Sequence, residues 1–327
     1  MQLRSRITGI GSYLPKRVIH NNDLQRMVDT SDEWIIERTG IRERRVVGED
    51  ESASDLGLKA GRKALRSAGI KPEEIDTIIV ATISGDMPMP STATLIQGRL
   101  GAKNAVAFDI NAACSGFIFG LGIADSFIKS RMSKRLLLIG VEVNSRFVDW
   151  QDRASCVLFG DGAGAVVIEP TTSKNCIIST HLQSDGRFWN LIYIPGGGSK
   201  HPASVSTLNE RMHFIKMKGN ETFKIAVRTL QGLAIRTLKE NNIRPSDLSL
   251  LIPHQANLRI IKAMAERLNL SMDKVVVNLD RYGNTSSASI PIALDEALRN
   301  GRIKHGDYIM LIAFGSGLTW GSALVRW

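Results

Sequence analysis

The sequence predicts an α/β protein made of two similar halves, and three observations support this prediction. Residues 70–80 match residues 243–253 in identity as well as in pattern, which indicates an internal repeat. Amphipathic helical patterns alternate with short apolar strands in both halves. Each half also closes with a strand rich in Gly and Ala, at 163–168 and at 321–325. A duplicated unit of this kind predicts a pseudo-twofold molecule with a site where the two halves meet.

The paired elements follow one another in the same order in the two halves. In each half an amphipathic helix precedes the repeated segment, which is a Pro turn followed by an apolar strand. We expect helices at 53–68 and 222–241, at 91–100 and 257–268, and at 115–130 and 287–300. We expect further strands at 105–110 and 275–279, and at 135–141 and 307–313. Strands that alternate with helices predict mainly parallel sheets with helices on both faces.

The division between the halves gives an N-terminal half of residues 1–172 and a C-terminal half of residues 173–327. The first part of the second half interrupts the alternation. Its segment 195–202 is a loop by composition and too short to link independent domains. We interpret it as a surface excursion and leave open whether it lies over the site. Residues 12–50, rich in Arg and Asp, are interpreted as an N-terminal insertion.

The composition is that of an ordinary globular protein, with 43% hydrophobic and 23% charged residues. No stretch approaches the roughly 20 apolar residues that a membrane span needs, and the N-terminus has no long apolar core, so we expect neither a membrane protein nor a signal peptide. The three cysteines, Cys114, Cys156 and Cys176, are an odd number without a CxxC pair. We therefore expect no disulfide framework and no zinc or other metal site, and a protein of the reducing cytoplasm.

The formal net charge of +10 indicates a polyanionic partner, which could be nucleic acid, an anionic membrane, a phosphorylated cofactor or an acidic protein. A nucleic-acid-binding protein would carry a basic stripe studded with aromatic side chains. Aromatic residues make up only 6% of the chain, and the Lys and Arg residues are dispersed. We therefore disfavour nucleic acid as the partner.

Cys114 lies where a predicted strand gives way to a predicted helix. Free N–H groups and the helix dipole at such a turn favour a thiolate, the reactive form of cysteine. Small residues around Cys114 permit a sharp turn and the close approach of a substrate. The alternative is a buried structural cysteine, the commoner fate of a free thiol. Cys156 and Cys176 lack this context and are interpreted as structural.

His254 and Asn284 occupy comparable junctions in the second half. His254 follows the repeated strand at its C-terminal end, where α/β proteins place their sites, although a lone histidine is more often structural. Asn284 lies in the segment that corresponds to Cys114, after Gly283, which permits an unusual backbone angle. An ordinary turn or a helix cap would use the same residues.

Two glycine-rich segments differ in what they predict. The segment 160–164 precedes its strand instead of following one, so we reject it as a phosphate-binding loop. The segment 314–321 joins two buried strands, and its backbone N–H groups suit an oxyanion, although a hairpin also needs glycine. A thiolate that takes an acyl group and two neutral donors that stabilise an enolate oxygen form a coherent set for one reaction class.

Seven motifs give the chain a close resemblance to the 3-oxoacyl-[acyl-carrier-protein] synthase III family over essentially its whole length. They lie at residues 30–35, 38–44, 112–117, 159–164, 253–259, 283–286 and 319–324. The resemblance implies the duplicated thiolase-like fold, with βαβαβαββ halves packed in five layers, α-β-α-β-α. It also implies a homodimer that uses acyl-CoA and malonyl-acyl carrier protein.

By this resemblance Cys114 is acylated by a primer acyl-CoA, with the backbone N–H groups of Cys114 and Ser316 as the oxyanion hole. His254 and Asn284 then bind the malonyl thioester carbonyl. Decarboxylation leaves an enolate that attacks the acyl-Cys114, giving 3-oxoacyl-carrier protein, CoA and CO2. Acyl-CoA is a substrate, and no metal or redox cofactor is implied. The alternative is a relative that condenses a non-acetyl primer for quinolone, polyketide or branched-chain products.

The resemblance also implies binding residues. In it Trp34 and Arg153 sandwich the CoA adenine, and Arg38 contacts the phosphates. The CoA-binding residues are Thr30, Trp34, Arg38, Arg153, Gly219, Asn220, Phe223, Ala256 and Asn257. Met89 lines the far end of the acyl pocket across the dimer. For the acidic carrier protein, the +10 charge points to Lys224, Arg259 and Lys262 near the tunnel mouth.

Overall fold

Two mixed β-sheets form the frame of the molecule in the computed structural model, which describes residues 3–327. The strands are β1 (Arg4–Tyr13), β2 (Arg17–His20), β3 (Glu43–Val46), β4 (Thr77–Ala81), β5 (Val106–Ile110), β6 (Leu136–Val143), β7 (Asp161–Thr171), β8 (Ile177–Ser184), β9 (Ile192–Tyr193), β10 (Lys216–Met217), β11 (Leu250–Pro253), β12 (Tyr308–Gly315) and β13 (Thr319–Arg326). The helices are α1 (Asn21–Leu24), α2 (Asp32–Thr39), α3 (Ala53–Ala68), α4 (Thr92–Leu100), α5 (Gly116–Lys129), α6 (Arg153–Cys156), α7 (Val205–Asn209), α8 (Gly219–Glu240), α9 (Leu258–Arg267), α10 (Leu279–Tyr282) and α11 (Ser289–Arg299). None of the helices in this part of the chain combines the length and apolar character needed to cross a bilayer.

The two main sheets have related strand orders, β1-β7-β6-β4-β5 and β11-β12-β13-β8. In the first sheet β4 is parallel to β5 and β6, whereas β7 is antiparallel to both β6 and β1. In the second sheet only β11 and β12 are parallel. The prediction of mainly parallel sheets is therefore wrong, because the last strand of each half returns beside its predecessor and pairs with the first strand.

The layers alternate as α-β-α-β-α. Helices α5 and α11 lie between the two sheets, α3 and α4 cover the outer face of the first sheet, and α8 and α9 cover that of the second. Three apolar clusters match these layers, one under α3 and α4, one around α5 and α11, and one under α8 and α9. The central helices are apolar along most of their length because both of their faces are buried. The five-layer arrangement is confirmed.

The two halves keep the 173-residue register of the repeat in their turns. A short 3₁₀ turn at Pro72–Glu74 recurs at Pro245–Asp247, and another at Ala113–Ser115 recurs at Ser286–Ala288. Even the left-handed residue that ends α3, Gly69 with φ 68°, has its counterpart in Asn242 with φ 56°. The proposed division at residue 172 falls between β7 and β8.

The segment 275–279, predicted as a strand, forms only an isolated bridge from Val275 to Leu251. Val276 N donates to Leu251 O at 2.9 Å, but Asn278 N donates to the Gln255 side chain at 2.9 Å instead of to a strand. The side chain of Gln255 thus replaces the next backbone partner and ends the pairing. Conversely, the sequence did not predict β1 and β8, which alternate polar and apolar residues weakly.

The two irregular segments pack around the second half. Residues of the insertion 12–50, among them Ile35 and Ile41, join the apolar cluster under α8 and α9. The loop 195–202 is closed by backbone bonds from Gly196 N to Met212 O and from Gly197 N to His201 O. Residues just before this loop, not the loop itself, reach the cavity described next.

Candidate active site

A cavity of about 1230 Å³ opens where the two halves meet, at the C-terminal ends of β4 and β11. It brings together most of the predicted residues: Cys114, His254, Asn284, Ser316, Trp34, Arg38, Arg153, Gly219, Asn220, Phe223, Lys224, Ala256, Asn257 and Arg259. Three predicted residues lie outside its lining. Thr30 lies two residues before α2, Lys262 lies within α9, and Met89 lies on the surface with 83% of its area exposed.

Cys114 is held in a tight 3₁₀ turn that leads into α5. The preceding residue, Ala113, adopts a left-handed φ of 46°, which is uncommon for a residue with a side chain and typical of functional turns. Across the turn lies the backbone of Gly315, where an added Cβ would be 2.8 Å from Cys114 N. The end of β12 therefore needs glycine, because any side chain there would displace Cys114.

The resting thiol is protonated. Burial raises the pKa of Cys114 to about 12, and the Glu142 carboxylate adds to the rise, while the Ser286 hydroxyl opposes it. The expectation that the helix N-terminus holds a thiolate at this turn is therefore wrong, because desolvation of the sulfur outweighs the dipole. The nucleophile must lose its proton as it reacts.

His254 is neutral and fixed in orientation. Its backbone N donates to Ile312 O at 2.8 Å, which continues the pairing of β11 with β12. Its Nδ1 lies 2.7 Å from Ser289 Oγ, which leaves Nε2 to face a ligand. Burial lowers the pKa of His254 to about 3 because no carboxylate compensates the charged form. The imidazole can therefore serve as a neutral hydrogen-bonding group at any working pH.

Asn284 is positioned by the first half of the chain. Its backbone N donates to Leu158 O at 2.8 Å and its carbonyl accepts from Gly160 N at 3.0 Å. Gly283, with φ 65°, makes this contact possible, since a Cβ there would lie 2.8 Å from Leu158 O. The side-chain oxygen of Asn284 accepts from Ser286 N at 2.8 Å, so the amide NH2 group is the end left as a donor.

Two backbone N–H groups complete the centre. Ser316 lies in the turn between β12 and β13, where its hydroxyl donates to Ile192 O. Within residues 3–327, the N–H groups of Cys114 and Ser316 have no acceptor. Unpaired donors beside a nucleophile are the geometry of an oxyanion hole.

The entrance to the cavity is basic. Arg38, Arg153, Lys224 and Arg259 line it, and no described lining residue is acidic. Arg259 lies over the Phe223 ring at 4.9 Å, which fixes the guanidinium at the wall. A polyanion is therefore favoured here.

Trp34 and Arg153 do not form an open sandwich. The Arg153 guanidinium lies 4.8 Å from the centroid of the Trp34 ring and its Nη1 donates to Asp29 O at 2.8 Å. A stacked ring between them needs about 7 Å, two van der Waals spacings of ~3.5 Å. Arg153 must therefore move outward before any base enters.

Asn257 lines the cavity and also stabilises the fold around its entrance. Its side-chain oxygen accepts from Arg259 N at 2.9 Å, which caps α9. Its Nδ2 donates to Arg38 O at 2.9 Å. Asn257 thus joins the insertion to the second half at the mouth of the cavity.

Sequence reasoning missed three polar residues of the centre: Glu142, Asn144 and Ser286. Asn144 lines the cavity, and its Nδ2 donates to Gly160 O at 2.9 Å. Glu142 is fully buried at the end of β6 and accepts a bond from Ser286 Oγ at 3.0 Å. The available signal was a lone glutamate at the end of the apolar run 136–143. No group of three or more His, Cys, Asp or Glu side chains arranged for a metal occurs in the described chain.

Comparison with known proteins gives consistent results over the whole chain. The families 3-oxoacyl-[acyl-carrier-protein (ACP)] synthase III and 3-oxoacyl-[acyl-carrier-protein (ACP)] synthase III C terminal match residues 108–186 and 238–327. The beta-ketoacyl-[acyl-carrier-protein] synthase III of Methylococcus capsulatus is 52% identical over 327 residues, 100% of both chains. The crystal structure of 3-oxoacyl-[acyl-carrier-protein] synthase III from Aquifex aeolicus has a TM-score of 0.91 at 50% identity, covering 99% of this chain and 100% of that one.

A second solved structure, the priming beta-ketosynthase from the R1128 polyketide biosynthetic pathway, has a TM-score of 0.91 at 34% identity. It covers 100% of this chain and 97% of its own. The thiolase-like fold and a thiol placed where its halves meet define a condensing acyltransferase. About half of the residues are identical to those of a beta-ketoacyl-[acyl-carrier-protein] synthase III over the full length of both chains, which identifies the family within this class of enzymes. The chain belongs to the 3-oxoacyl-[acyl-carrier-protein] synthase III family.

Replacing His254 by Gln should make the fold less sensitive to acid. Burial holds the pKa of folded His254 at about 3, so only the unfolded chain takes up this proton as the pH falls below 6.5. The wild type should therefore lose about 1.4 kcal/mol more than His254→Gln between pH 7.5 and 5.5. Urea denaturation at the two pH values measures the difference. The exposed His305→Gln is the control, and equal losses in wild type and His254→Gln would contradict a buried neutral imidazole.

Proposed function

We propose that this chain catalyses the condensation of a primer acyl-CoA with malonyl-acyl carrier protein, giving 3-oxoacyl-carrier protein, CoA and CO2. One observation carries the proposal: a single cavity joins Cys114 to two neutral polar side chains at its base and to a basic entrance. Membership of the family supports this condensation reaction, since relatives of about 50% identity are named beta-ketoacyl-[acyl-carrier-protein] synthase III or 3-oxoacyl-[acyl-carrier-protein] synthase III. Acyl-CoA enters as a substrate, and the proposed reaction calls for no redox cofactor or metal.

The first step is acylation of Cys114. The sulfur attacks the thioester carbonyl of the primer, and the carbonyl oxygen becomes an oxyanion. The N–H groups of Cys114 and Ser316, which have no other acceptor among the described residues, donate to this oxygen. Collapse of the tetrahedral intermediate expels CoA and leaves a thioester on Cys114.

The second step is decarboxylation of the malonyl group. His254 Nε2 and the Asn284 NH2 group donate to the malonyl thioester oxygen, on which negative charge develops as CO2 leaves. Neutral donors suit this role, because they stabilise the enolate without quenching it by proton transfer. The enolate carbon then attacks the acyl-Cys114 carbonyl and expels the Cys114 thiolate, which takes up one proton from solvent to regenerate the thiol.

The charged residues divide between the two polyanions. Arg38 and Arg153 at the entrance are assigned to the CoA phosphates and adenine, together with Trp34. Lys224, Arg259 and Lys262 are exposed, and the last two lie three residues apart on one face of α9. We assign them to the acidic carrier protein.

We also propose that two copies pair through β5. This strand is the edge of the first sheet, and Val106 within it is 63% exposed, whereas all five residues of β4 beside it are buried. An apolar edge strand left open is a template for another strand. Pairing of two β5 strands would cover it and could bring Met89 of one copy toward the acyl pocket of the other.

The primer is the open part of the proposal. An acetyl primer would make the chain an initiator of type II fatty acid synthesis in the cytoplasm. A longer or branched primer is the alternative. The priming ketosynthase of a polyketide pathway is 34% identical to this chain, whereas relatives named beta-ketoacyl-[acyl-carrier-protein] synthase III reach 52% and support the main reading over the alternative. Met89, a flexible side chain, sets no sharp length limit.

Cys114→Ala should abolish transfer of an acyl group to the protein. His254→Ala and Asn284→Ala should still become acylated, because their donors act on the malonyl oxygen, but they should fail to decarboxylate malonyl-carrier protein. Intact-mass analysis with acetyl-, isobutyryl- and octanoyl-CoA measures the first step and CO2 release the second. A stoichiometric label on Cys114→Ala, or loss of acylation before decarboxylation in the other two, would overturn these assignments.

Arg259→Glu and Lys262→Glu should each raise the KM for malonyl-carrier protein by about fivefold at low salt and by less at high salt. Acylation by acyl-CoA should change much less, above all in Lys262→Glu, since Lys262 lies outside the cavity lining. Arg153→Glu is the matched control and should show the reverse pattern. If Lys262→Glu lost acylation by acyl-CoA and use of malonyl-carrier protein equally, Lys262 would not be part of the carrier-protein docking surface.

Val106→Lys should weaken the association of two chains, because it places a charge on the open edge of the sheet. Light scattering coupled to gel filtration should then show a shift toward the single-chain mass of 35.9 kDa. Val205→Lys, at a valine of α7 that is 76% exposed, is the control and should keep the mass of the wild type. A wild type that already runs as a single chain would refute the proposed pairing.

A further inference from the structure

Glu142 is a buried acid that the proposed reaction does not yet use. It is 0% exposed, it lies at the end of β6, and no basic side chain among the described residues pairs with it. Burial raises the pKa of this carboxyl group. A buried carboxyl group without a cation is costly and is found where chemistry needs it.

The two oxygens of Glu142 have different surroundings. Oε2 accepts three bonds, from Ile83 N at 3.1 Å, Ser84 Oγ at 2.5 Å and Thr82 Oγ1 at 3.3 Å. These hydroxyls are donors toward Glu142, because Ser84 Oγ itself accepts from Val143 N and Thr82 Oγ1 from Ser84 N. Oε2 is therefore saturated by donated protons and has no place for another one.

Oε1 faces the second half of the chain. It accepts from Ser286 Oγ at 3.0 Å, while the neighbouring Ser287 hydroxyl donates to Ala81 O at 2.8 Å. The turn that carries Cys114 packs against the turn Ser286–Ala288, and Cys114 and Ser286 line the same cavity. The Ser286 hydroxyl also opposes the rise in the pKa of the Cys114 thiol. This hydroxyl therefore links the surroundings of the nucleophile to Oε1 of the carboxylate. The backbone N of Ser286 orients the Asn284 amide, so the two roles of this residue use different atoms.

We propose that Glu142, acting through the Ser286 hydroxyl, takes the proton from Cys114 during acylation. The inference rests on the proposed function for its substrate. As the S–C bond to the acyl group forms, the thiol proton moves to Ser286 Oγ and the Ser286 proton moves to Glu142 Oε1. When the C–S bond to CoA breaks, the relay returns the proton to the leaving thiolate, and Glu142 ends the step ionised. Glu142 therefore acts on Cys114 only through Ser286, and the Ser286 hydroxyl is the group that exchanges a proton with the sulfur.

The relay explains why two separate sets of polar side chains surround Cys114, Glu142 with Ser286 and His254 with Asn284. His254, with a pKa of about 3, is too weak a base to hold the thiol proton, but it is a good neutral donor for the enolate. Cys114 is the titratable group that faces Glu142. Asp86, on the loop with Thr82 and Ser84, is bonded to Ser52 and Ser54 instead, and Asp161 on β7 is bonded to Val47 and Ser145.

Single-turnover acylation of Cys114 by acyl-CoA, followed from pH 6 to 9 by quenched intact-mass analysis, tests the relay. Glu142→Gln and Ser286→Ala should each slow acylation by about 100-fold or more. The double variant should be no slower than the slower single variant, because both changes break one path. Thr82→Val, which removes one donor to Oε2 and the acceptor of Ser84 N but leaves the contact of Oε1 with Ser286, is the matched control and should stay within a few-fold of the wild type.

The pH profile separates a relay from a merely structural role. The wild-type rate should fall on the acid side as Glu142 becomes protonated, and this acid limb should persist in Glu142→Asp but vanish in Glu142→Gln. Circular dichroism shows whether each variant is folded. Acylation by Glu142→Gln at the wild-type rate or faster would mean that the carboxylate only holds the thiol protonated, and it would overturn the proposal. Losses that multiply in the double variant would overturn it as well.

Alkylation of Cys114 by iodoacetamide repeats the test without any acyl-CoA. The same two variants should react more slowly than the wild type, and equal or faster alkylation would contradict the relay. Failure of the wild type to accept any acyl-CoA, with the alkylation pattern intact, would refute the proposed substrate and leave the relay standing.

Discussion

The contact between two left-handed turns at the junction of the halves is the constraint on which the rest of the structure depends. Ala113 and Ser286, with φ of 46° and 48°, occupy corresponding positions in the two turns. The turns reach each other only because glycines lie beneath them, since a Cβ on Gly140 would be 2.5 Å from Ser287 O. The strain of these two residues is maintained by packing in the central layer, where both turns open into buried helices.

From this contact the site obtains its geometry and its electrostatics together. The turns place Cys114 and Asn284 on the wall of one cavity, where His254 and Asn284 are each only 7% exposed. Low polarity then favours neutral forms, so the pKa of the thiol rises and that of His254 falls. Among the residues that line the cavity, charge is confined to the entrance, where Arg38 and Arg153 lie, and the Glu142 carboxylate lies behind Ser286. Neutral donors around the thiol suit a reaction in which negative charge appears only briefly, on an oxyanion and then on an enolate.

Much of this could be predicted from the sequence, because the repeat at 70–80 and 243–253 is visible in residue identity and the helices have clear periodicity. Cys114, His254 and Asn284 stand out because they follow strands. The protonation state of Cys114 could not be predicted, since it depends on burial by distant parts of the chain. Glu142 and Ser286 were missed for the same reason, because 144 residues separate two side chains that touch. The segment 275–279 failed as a strand because one side chain, that of Gln255, replaces a backbone partner.

The stacking of Arg153 on Trp34 has a consequence for the traffic of ligands through the cavity. A contact of this kind at an exposed site contributes about 0.5–1 kcal/mol, and an entering nucleotide must break it. The same amount is recovered when the nucleotide leaves, so the closed pair weakens the binding of any nucleotide that inserts there by about that amount. In the proposed reaction CoA must leave before malonyl-carrier protein enters, and weaker binding of this product would speed its release.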